Sequence, residues 1–223
     1  MEQMRTTSGK ARILIVDDHP LVREWLGQLI QRSADLAVCG EAEDVDAALS
    51  LVAASEPDLA VIDLSLGSRS GIELIEQIRS SFPGVVMIVL SMHDEQVYAE
   101  RCIRAGARGY IMKRESTKNI VEAIHQVLKG NIYLSKNMTT RIVEKAVSPD
   151  APNIARSVGE LSDRELEVFK LLGQGFHVNE AAQMLKVGSK TVHTYCARIK
   201  EKMKFSTTAE LVREAQRWKG NSM

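Results

Sequence analysis

Three carboxylates define the chemistry this chain can do. Asp17 and Asp18 end the apolar run Ile13-Leu14-Ile15-Val16, and Asp63 ends a second run, Leu59-Ala60-Val61-Ile62. Short β-branched runs of this kind read as buried parallel strands, whose carboxyl ends converge on the edge where α/β folds build their sites. Three acids gathered there repel one another and raise each other's pKa unless a cation sits among them. Hard oxygen donors suit Mg²⁺, which keeps part of its water and accepts a phosphate oxygen. The pattern points to phosphoryl chemistry.

The elements that must position these acids alternate between strand and helix from residue 12 to about 129. Strands are predicted over 12–16, 37–42, 59–62, 85–90 and 109–112, and helices over 20–32, 45–54, 71–80, 95–105 and 117–128. Pro20 opens the first helix, and Leu21, Trp25, Leu26, Leu29 and Ile30 are assigned to its inner face. The last helix carries Ile120, Val121, Ile124, Val127 and Leu128 at helical spacing, with Gly130 as its stop. Five such units with short connections predict a doubly wound parallel sheet in the order 2-1-3-4-5. Residues 131–147 are expected to add one helix, anchored by Ile142 and Val143. Residues 148–158, with Pro149 and Pro152, read as a linker.

The remainder is all helical. Ser162-Asp163-Arg164-Glu165 and Thr207-Thr208-Ala209-Glu210 are capping-box sequences, each opening an apolar face: Leu166, Phe169 and Leu172 in one, Leu211, Val212, Ala215 and Trp218 in the other. Two short helices between them, about 178–185 and 189–203, are joined through Val187-Gly188, a helix-turn-helix layout. In the second, Val192, Cys196, Ile199 and Met203 face inward, leaving Lys190, His193, Thr194, Ala197, Arg198 and Glu201 outward.

Composition narrows the classes further. With 223 residues the chain can hold two modest domains. No apolar stretch reaches membrane-spanning length, and residues 1–10 lack a signal-peptide core, so the expected location is the cytoplasm with no membrane partner. Cys39, Cys102 and Cys196 have no metal-binding spacing and read as free thiols. Net charge is zero, but residues 156–223 hold 12 Lys and Arg against 8 Asp and Glu, leaving 17 against 21 before them. A basic C-terminal part is compatible with nucleic acid.

These residues together resemble a two-component response regulator of the NarL/LuxR type, from about residue 10 to 219. The resemblance implies a flavodoxin-like α/β receiver over 10–131, a linker with a helix over 132–158, and an all-α four-helix LuxR-type domain over 159–219. It implies Asp63 as phosphoacceptor, with Asp17, Asp18, Asp63 and the backbone carbonyl of Ser65 holding Mg²⁺. Ser91 and Lys113 match the phosphate-binding pair, Tyr110 the switch aromatic, and Gly71 the glycine that opens the helix after the acceptor. Such a receiver catalyses only its own phosphorylation and dephosphorylation. A cognate histidine kinase is the implied donor, double-stranded DNA the target, and a homodimer the DNA-bound form.

At the DNA end the resemblance puts His193, Thr194 and Ala197 at base-reading positions, while Lys190, Thr191, Tyr195, Arg198 and Lys202 are candidates for phosphate contacts. The final helix is the expected dimer face. Two departures stand out. Gly67 replaces a common proline, which predicts a more mobile loop and leaves open a regulator controlled by a partner instead of phosphate; Arg114 follows Lys113 where proline is frequent. An aspartate-nucleophile phosphatase would want Asp-x-Asp on the first strand, and a nucleotide binder a glycine-rich loop there; Asp17-Asp18-His19-Pro20 offers neither.

Overall fold

The computed structural model describes residues 9–67, 69–147, 158 and 161–220. The chain divides into two compact units, with the boundary between Val147 and Ser148.

In the first unit, apolar runs at the predicted positions become the strands β1 (Ala11–Val16), β2 (Leu36–Ala42), β3 (Leu59–Ile62), β6 (Val86–Ser91) and β7 (Gly109–Met112). They pair parallel in the order β2-β1-β3-β6-β7, which is the 2-1-3-4-5 arrangement. The helices are α1 (Pro20–Gln31), α2 (Val45–Ser55), α3 (Gly71–Ser81), α4 (Glu95–Ala105) and α5 (Ser116–Leu128). Alternate strand residues serve the two faces of the sheet. Ile13, Ile15, Val61, Ile88, Leu90 and Ile111 pack with Leu26 and Ile30 of α1 and with Ile120, Ile124 and Val127 of α5. Such burial is worth roughly 1.5–3 kcal/mol for each large aliphatic side chain.

Local caps fix where the helices begin. Asp44, Ser70 and Asp94 accept backbone N–H bonds at the starts of α2, α3 and α4. Gly130, at φ +86°, closes α5 as expected. Leu21 departs from the expectation: it is 79% exposed, because the inward stripe of α1 runs through Val22, Leu26 and Ile30 with Trp25 and Leu29 at its flank.

The segment after β3 folds into a two-stranded ladder, β4 (Ser65–Leu66) with β5 (Arg69–Ser70). Gly67 begins its turn at φ +59°, a conformation closed to proline, whose ring holds φ near about −65°. Arg69 is tied to Asp46 at 2.8 Å. Gly67 thus sits between two paired strands in a conformation that proline could not adopt.

Beyond α5 the chain does not run straight into a helix. Tyr133 donates its N–H to the Arg108 carbonyl and accepts from Tyr110 N–H, both at 2.9 Å, forming a parallel bridge with Gly109 along the outer rim of β7. α6 (Lys136–Val147) follows. The buried Glu95 carboxylate at the head of α4 accepts the Ser135 N–H at 2.8 Å, and Arg141 reaches Gln96. The anchor of α6 is Met138, which is buried; Val143, expected to be an anchor, is exposed. The expected linker over 148–158 lies, apart from Val158, outside the described residues.

The second unit consists of α7 (Asp163–Gly173), α8 (Val178–Met184), α9 (Ser189–Met203) and α10 (Thr208–Gly220). Both arms of the capping box at Ser162 and Glu165 are formed. At α10, Thr207 caps Glu210 N–H, but the Glu210 carboxylate accepts from Ser206 instead of Thr207. The stripe expected to be a dimer face is core: Leu211 and Ala215 are buried, and Trp218 stacks edge-on to Phe169 with ring centres 6.0 Å apart. Gly173 lets α7 approach so closely that a Cβ there would lie 2.6 Å from the Ala215 carbonyl oxygen. Leu211 and Ala215 are thereby covered within the unit, and Val212 stays half-buried. Among the described residues, no helix is long and apolar enough to cross a membrane.

Candidate functional site

The sheet register brings the acids together. Val16 pairs with Ile62 across β1 and β3, so Asp17 and Asp63 leave adjacent strands at the same level. Asp63 N–H also bonds the Val16 carbonyl at 2.8 Å. Ser91 ends β6 opposite Met112, and Lys113 follows Met112. Gly71 packs directly under the site: a Cβ there would fall 2.1 Å from the Asp63 carbonyl oxygen, so only glycine fits.

Lys113 Nζ bridges Asp17 Oδ2 at 2.7 Å and Asp63 Oδ2 at 2.8 Å. Asp63 Oδ1 accepts the Leu64 N–H at 2.7 Å. Asp17 Oδ1 accepts the His19 N–H at 2.9 Å, and Arg23 donates to the Asp17 carbonyl. Asp17 and Asp63 are only 1% and 3% exposed. Burial pushes the Asp63 carboxyl up to about 6, with Asp17 adding to the rise and Lys113 opposing it. Burial also works against the Lys113 charge, but the two carboxylates outweigh it and raise its pKa.

One atom is left over. Asp18 Oδ1 is buried and takes no hydrogen bond, although His19 Nδ1 lies 2.6 Å away, out of line for one. Donor atoms of Asp17, Asp18, His19 and Asp63 all lie within 4.8 Å of one another. Three carboxylates with an unsatisfied oxygen among them are a donor set that fits a hard divalent cation.

Ser91 and Tyr110 sit beside this cluster, both buried. Ser91 Oγ accepts the His93 N–H at 3.1 Å, and Tyr110 donates its hydroxyl to the His93 carbonyl at 2.9 Å. Burial pushes the Tyr110 phenol well above its usual range. His93 was not singled out from sequence, yet it ties four elements together. Its ring reaches Ser65 Oγ at 3.1 Å and stacks on Tyr98. No motif flags it, because its partners come from four different elements.

In the second unit, Val192, Cys196 and Ile199 bury one stripe of α9, and Lys190, Thr191, His193, Thr194, Ala197 and Arg198 are exposed on the other side. Tyr195 is half-buried. The turn before α9 places Lys186, not Gly188, in the left-handed region, at φ +54°. Lys202 differs from the expectation: its ammonium is held at 2.7 Å by Glu165, whose side chain is 3% exposed. Burial alone would raise the Glu165 pKa, but its bonds to Lys202 and Ser162 prevail and lower it. Lys202 thus fastens α9 to α7, and its charge is committed within the unit.

Residues 13–125 match the response regulator receiver domain, and residues 159–215 match the luxR family of bacterial regulatory proteins. The oxygen regulatory protein NreC of Staphylococcus carnosus is 32% identical over 208 residues, spanning 92% of this chain and 96% of that protein. The chain belongs to the response regulator family. The nitrate/nitrite response regulator NarL of Escherichia coli K12 is 30% identical over 202 residues, with 90% of this chain and 92% of NarL covered. The crystal structure of a LuxR-family two-component response regulator from Aurantimonas sp. SI85-9A1 superposes with a TM-score of 0.58 at 36% identity, over 63% of this chain and 100% of that one. This regulator is a DNA-binding protein of a two-component system, in which phosphorylation of the receiver controls transcription.

Proposed function

We propose that Asp63 is the phosphoacceptor and that the acid cluster holds Mg²⁺ through Asp17, Asp18, Asp63 and the Ser65 carbonyl. The observation that carries this reading is the Lys113 bridge: one ammonium contacts both Asp17 and Asp63 but offsets only one of the three carboxylate charges, and a buried Asp18 oxygen takes no hydrogen bond. An Asp63 oxygen attacks the phosphorus of a histidine kinase's phospho-imidazole or of a small acyl phosphate. The P–O bond forms as the donor's P–N or P–O bond breaks, and the donor keeps the electron pair. When bound, Mg²⁺ supplies charge neutralisation for the transferring oxygens. Lys113 and Ser91 donate to the product phosphate, and water attack at phosphorus later returns the carboxylate. The chain therefore catalyses only its own phosphorylation and dephosphorylation.

The added charge draws Ser91, and with it the 91–93 turn that accepts the Tyr110 hydroxyl. The receiver spans 10–131, the connecting segment 132–158 begins with a helix docked on it, and the DNA-binding domain spans 159–219. His193, Thr194 and Ala197 read base edges, while Lys190, Thr191, Tyr195 and Arg198 contact phosphates. A single recognition helix is a small footprint, so two copies act as a homodimer on two half-sites, in the cytoplasm where the DNA is.

The test is labelling with acetyl phosphate in Mg²⁺. Wild type takes up label that Asp63→Asn and EDTA both abolish, and DNA binding rises with label. Label surviving Asp63→Asn overturns the assignment.

A further inference from the structure

We infer that His19 is a nitrogen ligand to the ion that Asp17, Asp18 and Asp63 surround, and that it tunes this site toward first-row transition cations. The inference rests on the reading of the acid cluster as an ion site and adds to it a donor of different chemistry.

His19 is held where such a ligand must be. It occupies the N-cap of α1 with extended backbone, at φ −96° and ψ 111°, and its side chain caps nothing. Pro20 follows at the first helical position and disfavours a helical conformation at His19. The His19 N–H is committed to Asp17 Oδ1, which turns the residue back toward the acids. Its Nδ1 then lies 3.4 Å from Asp17 Oδ1 and 2.6 Å from Asp18 Oδ1.

The second of these contacts is the telling one. A ring nitrogen and a buried carboxylate oxygen face each other at hydrogen-bond distance without hydrogen-bond alignment. With Nδ1 as the unprotonated ring nitrogen, two electron-pair donors stand this close, and a cation bound by both relieves them. Lys113 does not serve that role for Asp18, because its ammonium bridges the Oδ2 atoms of Asp17 and Asp63.

The class of cation follows from the donors. Mg²⁺ gains little from imidazole, whereas Mn²⁺, Co²⁺, Ni²⁺ and Zn²⁺ accept it readily, with affinity rising from Mn²⁺ to Ni²⁺. A site of three carboxylates and one imidazole is thus biased toward the transition ions. The metal that charges the receiver then depends on which divalent ions the cell makes available.

The test compares full-length wild type with His19→Ala, whose exposed side chain caps no helix, so that the fold is kept. Calorimetric titration should show Co²⁺ and Ni²⁺ affinity falling at least ~10-fold in His19→Ala, while Mg²⁺ affinity changes less than ~2-fold. Pulsed electron paramagnetic resonance of the Mn²⁺-loaded protein should show directly bonded ¹⁴N modulation in wild type and in His93→Ala, and none in His19→Ala. Equal losses for Mg²⁺ and Ni²⁺, or ¹⁴N modulation that survives His19→Ala, overturn the role of His19 and leave the acid site standing. Absence of divalent binding in wild type would overturn both.

Discussion

Replacing Asp63 by Asn should make the metal-free receiver more stable at neutral pH, by an amount the burial of this carboxylate sets. Unfolded, the group titrates near 3.8; folded, at about 6. Between those values the folded state keeps a proton that the unfolded state has lost, so stability falls as pH rises and the full penalty stands above pH 6. At about 1.4 kcal/mol per pH decade, the penalty is about 3 kcal/mol. Asn does not ionise and escapes it. Any fixed cost of losing the Lys113 contact is independent of pH in this window, so the quantity to follow is the change in the stability difference. Urea unfolding in EDTA at pH 4 and pH 7.5 measures it, in a Trp218→Phe background where Trp25 reports the receiver core alone. Part of the penalty is already present at pH 4, so the variant should gain about 2 kcal/mol on wild type between the two pH values. Mg²⁺ at 100 times its dissociation constant should return about 2.7 kcal/mol to wild type. A difference that stays flat across pH, or grows in favour of wild type, refutes the reasoning.

Other contacts give equally direct expectations. Gly71→Ala drives a Cβ into the backbone of Asp63 and Leu64, so the urea midpoint should drop by an amount worth about 3 kcal/mol, and an unchanged midpoint would contradict that close approach. Lys202→Met should destabilise the C-terminal unit by about 1–2 kcal/mol, discounted for the half-exposed ammonium, while leaving the salt dependence of DNA binding intact. Arg198→Ala should do the reverse, keeping stability and flattening the salt slope by about 0.9; a flattened slope in Lys202→Met would restore that lysine as a DNA contact. Glu95→Ala should cost about 1–3 kcal/mol of protection at the Ser135 amide in hydrogen exchange, and unaltered exchange there would detach α6 from α4.

Features written in local pattern were legible from the chain alone. The inner strands β1 and β3 are apolar runs and the acids fall at their ends, so the meeting of Asp17 with Asp63 follows from period and topology. Features decided by distant partners were not. Leu21 and Leu26 look equivalent in an apolar stripe, and only packing on β1 rotates Leu21 outward. Lys202 reads as one more cation on a basic helix until Glu165, 37 residues away, is seen to hold it. The ladder at Ser65–Ser70 is too short to show a period. Leu211, Ala215 and Trp218 form the same stripe whether a second copy or α7 covers it, and sequence does not say which.

Tyr133 has a consequence for how this protein can be cut. β7 is the last strand of its sheet, and its amide at Tyr110 and the carbonyl of Arg108 just before it are satisfied by the chain that returns past residue 131. Such a row of bare groups recruits strands from other molecules. A fragment ending at 131 would keep every phosphorylation residue yet stick to its own kind, whereas one ending at Val147 carries its own selvedge and stays single.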